Sequence, residues 1–341
     1  MPKGRLKTTS TAAKRIQQCR DRIDNYNNTV YAIIGFLNTY IYELKKKGDI
    51  VLIFQGRKMY ISKAGDHFVT PDLGLTIGNN EGVIGEVKCT LDKNRSNWSD
   101  HFVQLKKYEK ISTGWPTENG AIEKFDIVLL VEKSRSRVLR DYYEKSLDES
   151  LKLTKPFIII EFSRSSQQKE FFFFRIEHGE LSNPNLHKKF YDGLNVAMEI
   201  FVEQYSTIKI YDVEPELPVM LHLINDCVVD KQIREGKYRK LTRKNSQPVE
   251  ITVQEITDLM KEVYSFKSLH DPKHNSNQPE FPKTEWVRKA FDKLVDLAEG
   301  NWLDRATGRF NYLLSQKEGN ILEHYILRTY DDVAIQSKLF D

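Results

Sequence analysis

The segment from Phe125 to Val131 constrains the fold more than any other part of the chain, because it is an almost continuous apolar run. Strands with one exposed face alternate apolar and polar residues, whereas strands buried on both faces are apolar nearly throughout. A strand of the second kind needs helices packed on both sides of its sheet. The sequence therefore predicts an α/β fold in which a mixed sheet is flanked by helices.

The segments before Phe125 supply the other elements of such a sheet. Apolar residues at helical spacing between residues 10 and 47 predict a long first helix. Three strand-like runs follow, and Gly78–Gly82 between the second and third is a strong turn signal. The predicted elements are a helix at 10–47, strands at 51–61, 67–77 and 83–91, a helix at 98–111 and a strand at 125–131.

Two carboxylates and a lysine lie on the second and third of these strands. Asp72 follows Pro71 on the second strand, and Glu86 and Lys88 lie on the third. Side chains alternate between the two faces of a strand, so Glu86 and Lys88 share one face while Val87 points to the other. The intervening turn folds the third strand back along the second, which predicts that Asp72 lies near Glu86.

Paired carboxylates of this kind suit a divalent cation. Two nearby negative charges are unfavourable alone, and Mg²⁺ is a hard ion that binds carboxylate oxygens and keeps several waters. The ion makes a bound water easier to deprotonate and offsets charge on a phosphoryl transition state. Lys88 can orient the attacking water or stabilise the phosphate. The prediction is Mg²⁺, with Mn²⁺ as a substitute, held by Asp72 and Glu86.

Pro71-Asp72 and Glu86-Val87-Lys88 resemble the motif of the PD-(D/E)XK nuclease superfamily, and the predicted order of elements resembles its core. In the branch similar to RecB nucleases and lambda exonuclease, the next helix carries QxxxY, and Gln104-Leu105-Lys106-Lys107-Tyr108 stands in that place. The resemblance implies a restriction-endonuclease-like fold over about residues 10–132 and Mg²⁺-dependent cleavage of DNA. It implies a catalytic set of Asp72, Glu86, Lys88, Gln104 and Tyr108, and it makes Glu43 on the first helix a further candidate metal ligand.

Basic residues supply candidates for contact with the DNA backbone, because phosphate contacts dominate non-specific affinity. Some lie on the QxxxY helix, where a solvated helix face explains them equally well. Others lie in the segment 231–244, which carries seven Lys or Arg residues and one acidic residue. The candidates for binding nucleic acid are Lys106, Lys107, Lys237, Arg239, Lys240 and Arg243.

The rest of the chain predicts a second domain. The nuclease domain is expected at residues 1–230, with an added hairpin and helix reaching to about 213. Residues 231–250 are expected to form a basic linker. Residues 251–341 are expected to form a mainly helical accessory domain, with a winged-helix unit as an alternative. Because acidic and basic residues balance over 283–341, contact with a partner protein or a second copy is expected there.

Composition limits the setting and the partners. The net charge of +4 permits an anionic partner without demanding one. The three cysteines include no Cys-X-X-Cys pair, which disfavours a zinc site or a disulfide framework and favours a reducing cytoplasm. No apolar stretch is long enough for a membrane span. Together with the resemblance, these features predict a cytoplasmic DNA endonuclease of restriction or phage defence; the alternatives are a RecB-like repair exonuclease and a non-cutting nucleic-acid-binding module.

Overall fold

The computed structural model describes residues 10–45, 51–54, 58–62, 65, 67–78, 80–89, 91, 97–165, 171–197, 214, 217–237, 246–264 and 283–315. The chain divides into two compact units. The first comprises Asn25–Asp212 with Phe266–Pro279, and the second comprises Met1–Asp24, Val213–Ser265 and Glu280–Asp341. Among the described residues, no helix combines the length and the apolar content that crossing a bilayer requires.

Strands and helices alternate along the first unit. Its described strands are β1 (Val51–Phe54), β2 (Met59–Tyr60), β3 (Phe68–Val69), β4 (Leu73–Ile77), β5 (Glu81–Lys88), β6 (Lys124–Glu132), β7 (Phe157–Ser165), β8 (Phe171–His178) and β9 (Leu194–Ala197). Its helices are α1 (Ser10–Lys45, which begins in the residues grouped with the second unit), α2 (Trp98–Tyr108), α3 (Lys133–Lys145) and α4 (Pro184–Asp192). A short 3-10 helix spans Glu149–Leu151.

A mixed sheet forms the centre of the first unit, with its described strands in the order β1-β4-β5-β6-β7-β8-β9. Strands β5, β6 and β7 are parallel, and the other neighbouring pairs are antiparallel. The strands β2 and β3 pair separately as a small antiparallel ribbon. A parallel centre with antiparallel flanks requires the chain to cross over the sheet between β5 and β6 and again between β6 and β7.

Helices cover both faces of this sheet. On one face, Val128 and Leu130 of β6 share a buried cluster with α1 and α4. On the other face, Ile127, Leu129 and Val131 share a second cluster with α2 and α3. The central strand is thus buried on both sides, as its apolar composition predicts, and the mixed α/β class is confirmed.

Two local elements differ from the sequence prediction. The run at 67–77, predicted as one strand, is interrupted at Pro71 and Asp72, because proline cannot donate to a strand ladder. The helix that follows the added hairpin, predicted at 190–204, is wrong over most of its described length. The helix is α4 at Pro184–Asp192, where the Asn183 side chain accepts hydrogen bonds from two backbone N–H groups of the first turn, and Leu194–Ala197 form strand β9. Residues 198–204 of that prediction lie outside the described residues.

In its described part, the second unit combines helices with a three-stranded sheet. Its described part contains α5 (Leu217–Arg234), β10 (Ser246–Thr252), α6 (Val253–Tyr264), α7 (Thr284–Asp296), β11 (Gly300–Asp304) and β12 (Arg309–Ser315). Strand β12 lies between β10 and β11 and is antiparallel to both. The structure therefore corrects the predicted boundary at residue 230 and the predicted linker at 231–250, since residues 231–234 end α5 and residues 246–250 belong to β10.

Candidate active site

The β4–β5 hairpin holds Asp72 beside Glu86. The two strands are antiparallel with Leu73 opposite Gly85, and Gly78 in the turn has a φ of +57°. This register places the residue before Leu73 next to the residue after Gly85. Asp72 Oδ2 accepts a hydrogen bond of 2.9 Å from the backbone N–H of Val87. The break in the strand at Pro71 thus leaves Asp72 turned back onto β5.

Glu86 and Lys88 point to the face of the sheet that α2 covers. The alternation is visible in the packing, because Ile84 belongs to the buried cluster on the α2 side while Val83 and Val87 belong to the cluster on the α1 side. Lys88 Nζ lies 3.2 Å from Glu86 Oε2. Glu86 is only 3% exposed, so this is a buried carboxylate with an adjacent ammonium group.

Helix α2 brings two further polar side chains to the same carboxylate. Gln104 Nε2 donates a hydrogen bond of 2.9 Å to Glu86 Oε1. The Tyr108 hydroxyl donates to the same oxygen, and Gln104 Nε2 lies 3.3 Å from the Tyr108 hydroxyl. Positions i and i+4 share one face of a helix, which explains why both side chains reach Glu86. The structure thus brings together all five residues of the predicted catalytic set.

The charges in this cluster perturb one another. Burial, followed by the negative charge of Glu86, raises the pKa of the Asp72 carboxyl well above its ordinary value. Burial lowers the pKa of Lys88, but the Glu86 and Asp72 carboxylates outweigh burial, and the net pKa is raised. Burial, followed by Glu86, raises the pKa of Tyr108. Two carboxyl groups therefore share a single ammonium group, and an added cation would relieve their repulsion.

The donor set fits a divalent cation that completes its shell with water. Mg²⁺ is commonly held by one or two carboxylates while it keeps several waters. Over the described part of the chain, no group of three or more His, Cys, Asp or Glu side chains is placed to hold a metal. Glu43 does not join the pair, because it lies on α1 across the sheet from Glu86 and forms an ion pair with Lys189. Asp72 and Glu86 are the residues that would hold the ion, and Glu43 is corrected to a structural ion-pair partner.

Asp72→Asn is expected to stabilise the protein in the absence of divalent cations. The raised pKa means that the folded state binds the proton of Asp72 more tightly than the unfolded state. Ionisation of Asp72 therefore lowers the free energy of unfolding as the pH rises above the pKa that Asp72 has in the unfolded state. The full loss of stability is reached above the pKa that it has in the folded state. The amide can still accept from Val87, so at neutral pH we expect a gain of about 1 kcal/mol in the free energy of unfolding.

Thermal denaturation with EDTA measures this gain, which should shrink at pH 5. Added Mg²⁺ should then raise the melting temperature of the wild type but not of the variant. Asp148→Asn is the matched control, because hydrogen bonds from Ser150 lower the pKa of Asp148 and its loss should not stabilise the protein. A lower melting temperature of Asp72→Asn in EDTA would contradict the expectation.

The candidates for contact with nucleic acid are scattered. Lys106 Nζ lies 2.7 Å from Glu109 Oε2 and donates to the backbone carbonyl of Lys152, so its ammonium group already has two partners within the protein. Lys107 is exposed on α2. Lys237 is exposed with its Nζ 2.7 Å from Glu235 Oε2. The other three candidates, Arg239, Lys240 and Arg243, lie outside the described residues.

A buried ion pair on the same face was not anticipated from the sequence. Glu161 on β7 is 1% exposed, accepts a hydrogen bond of 2.8 Å from Ser136 Oγ and lies 2.8 Å from Arg175 Nη2. These partners tie α3 to β7 and β8. No signal in the sequence marks this contact, because the three residues come from three separate elements.

No family model, curated protein or solved structure matches the chain. The geometry of the cluster is therefore the observation that bears on function.

Proposed function

We propose that the chain is a metal-dependent nuclease that hydrolyses phosphodiester bonds in DNA, with Asp72, Glu86 and Lys88 at the reacting centre. The observation that carries the proposal is the convergence of β4, β5 and α2 on the Glu86 carboxylate. An ordinary ion pair on a hairpin is exposed and contributes little to stability. Glu86 is instead buried and contacts three polar side chains from two elements.

Each side chain has a separate part in the proposed reaction. Asp72 and Glu86 hold the cation, which when bound acts as a Lewis acid towards the phosphate and makes water more acidic. Gln104 and Tyr108 fix the orientation of Glu86 by donating to its Oε1. Lys88 donates from its ammonium group towards the phosphate oxygens, where negative charge develops during attack.

The order of elements supports a restriction-endonuclease-like assignment. Along the chain come α1, then the antiparallel strands β1, β4 and β5, then α2, and then β6 parallel to β5. This is the order of helix, three strands, helix and strand that the resemblance implies, with the β2–β3 ribbon inserted. The second unit has the order helix, strand, two helices and two strands, which supports the winged-helix alternative.

Cleavage assays with linear and circular DNA in Mg²⁺, Mn²⁺ and EDTA test the proposal. We expect both substrates to be cut with either metal and neither to be cut with EDTA. Without a cation, the two carboxylates repel the phosphate, and no group offsets its negative charge during attack. Cutting of linear DNA alone would favour the exonuclease alternative. Intact substrates with both metals would contradict a nuclease function.

A further inference from the structure

A cavity of about 290 Å³ lies on the other face of the sheet, on the side of α1. Its lining residues include Tyr40, Ile77, Glu81, Val83, Asp126 and Ser182. It opens where β5 begins, five positions before Glu86, or about 16 Å along an extended strand. The cavity is therefore separate from the carboxylate cluster, and the inference below does not depend on the proposed function.

The cavity contains a buried hydroxyl group without a partner. Tyr40 is 1% exposed, and its hydroxyl makes no hydrogen bond. A buried polar group left unpaired costs about 1–3 kcal/mol, so such groups in proteins are nearly always satisfied. The neighbouring Asp126 is 3% exposed but is well satisfied, because it accepts from both the backbone N–H and the hydroxyl of Ser182. Only the tyrosine hydroxyl of this pair still needs a partner, and the cavity supplies the space for one.

Negative charge surrounds this hydroxyl. Burial, partly offset by the hydrogen bonds from Ser182, raises the pKa of Asp126, and the negative charge of Glu81 adds to the rise. Burial, followed by the charge of Asp126, raises the pKa of Tyr40, so its hydroxyl stays protonated at neutral pH. Glu81 therefore acts on Asp126, and Asp126 acts on Tyr40.

Two lysines line the cavity; Lys124 is exposed, and Lys155 is occupied elsewhere. Lys155 Nζ lies 4.0 Å from the centre of the Phe125 ring and donates a hydrogen bond of 3.0 Å to the backbone carbonyl of Glu123. Its ammonium group is thus held by an aromatic face and a carbonyl. Two of the three carboxylates of the lining, those of Glu81 and Asp126, remain available to another cation.

We propose that this cavity binds a small aliphatic amine, with the ammonium group donating to Asp126, Glu81 and the hydroxyl oxygen of Tyr40. An ammonium group has three donors and no acceptor, which matches three oxygen acceptors. The alkyl chain lies against Ile77 and Val83. A bare metal ion fits less well, because the cavity is far larger than an ion and, over the described residues, no cluster of three or more metal-binding side chains is present.

Calorimetric titration of the full chain with n-butylamine tests this proposal, with n-butanol as the neutral probe of equal length. We expect saturable binding of the amine and none of the alcohol. Asp126→Asn should weaken amine binding at least about tenfold, because it removes the negative charge that attracts the ammonium group, and Tyr40→Phe about fivefold, because it removes an acceptor for a charged donor. Tyr40→Phe should melt no lower than the wild type without ligand, since it removes an unpaired group.

Two control variants test whether the loss of amine binding is specific to the cavity. Tyr42→Phe makes the same change at a residue of α1 that is 65% exposed, and it should bind the amine like the wild type. Glu86→Gln should also bind it normally, which separates this site from the proposed nuclease centre. Absence of saturable binding, equal binding of n-butanol, or unchanged binding by both cavity variants would show that the cavity holds water only and overturn the proposal.

Discussion

Glu86→Gln is expected to lower the rate of DNA cleavage at least about a thousandfold, which corresponds to roughly 4 kcal/mol of lost transition-state stabilisation. The carboxylate is the point on which Asp72, Lys88 and the α2 side chains converge, and its neutral amide is a far weaker ligand for a hard cation. The affinity for Mn²⁺, measured by calorimetry, should fall together with the rate.

Lys88→Ala is expected to lower the cleavage rate without lowering the affinity for Mn²⁺. Cleavage should fall about a hundredfold to a thousandfold, because the ammonium group that offsets charge on the phosphate is gone. Mn²⁺ should bind as tightly as in the wild type or more tightly, since the competing cation near Glu86 has been removed. Lys145→Ala is the control, because Lys145 on α3 is 72% exposed and pairs with Asp141 rather than with a residue of the cluster. Wild-type cleavage by Lys88→Ala would refute the role given to Lys88.

Gly85→Ala is expected to destabilise the first unit by about 3 kcal/mol or more, because β5 and β6 approach too closely for a side chain at this position. An added Cβ would lie 2.2 Å from the backbone carbonyl oxygen of Val128. That oxygen belongs to the parallel ladder, in which Gly85 is opposite Val128, so relief would require the strands to separate. The rate of cleavage should also fall, because the next two residues of β5 are Glu86 and Val87, and the N–H of Val87 holds Asp72. A shift of the strand at Gly85 would displace both.

Chemical denaturation monitored by circular dichroism measures this loss. Gly78→Ala is the matched control, because Gly78 has a positive φ but nothing within 4 Å of an added Cβ. Its expected cost is only the strain of a left-handed residue, about 1–2 kcal/mol. Equal stability of the two variants would mean that the sheet adjusts to the side chain without loss.

The sequence predicts the elements of the cluster well because each depends on local regularity. The strand period of two places Glu86 and Lys88 on one face, and the helical spacing of four places Gln104 and Tyr108 together. The turn around Gly78 then aligns Asp72 with Glu86. These relations hold within neighbouring segments of the chain, so alternation and turn signals are sufficient to deduce them.

Contacts between segments that are distant in the sequence cannot be predicted from such local patterns. Nothing local indicates that Glu43 meets Lys189, or that Asp126 is held by Ser182. Proline commonly breaks a helix, yet Pro218 lies in the first turn of α5, where a missing N–H removes no helical hydrogen bond. The boundary between the units was predicted at the wrong place because the basic composition of 231–244 resembles a linker. Helix α5 in fact continues to Arg234.

The parallel centre of the sheet also has a consequence for the order of folding. Antiparallel neighbours such as β4 and β5 are adjacent in the chain and pair rapidly, whereas β5 and β6 can pair only after the chain crosses over with α2. We therefore expect Asp72 and Glu86 to meet early, within their hairpin. The groups of α2 that orient Glu86 reach it only when the crossover docks. In a nascent or partly unfolded chain, Asp72 and Glu86 are therefore close together, but Gln104 and Tyr108 do not yet orient Glu86. The complete cluster forms only together with the native sheet.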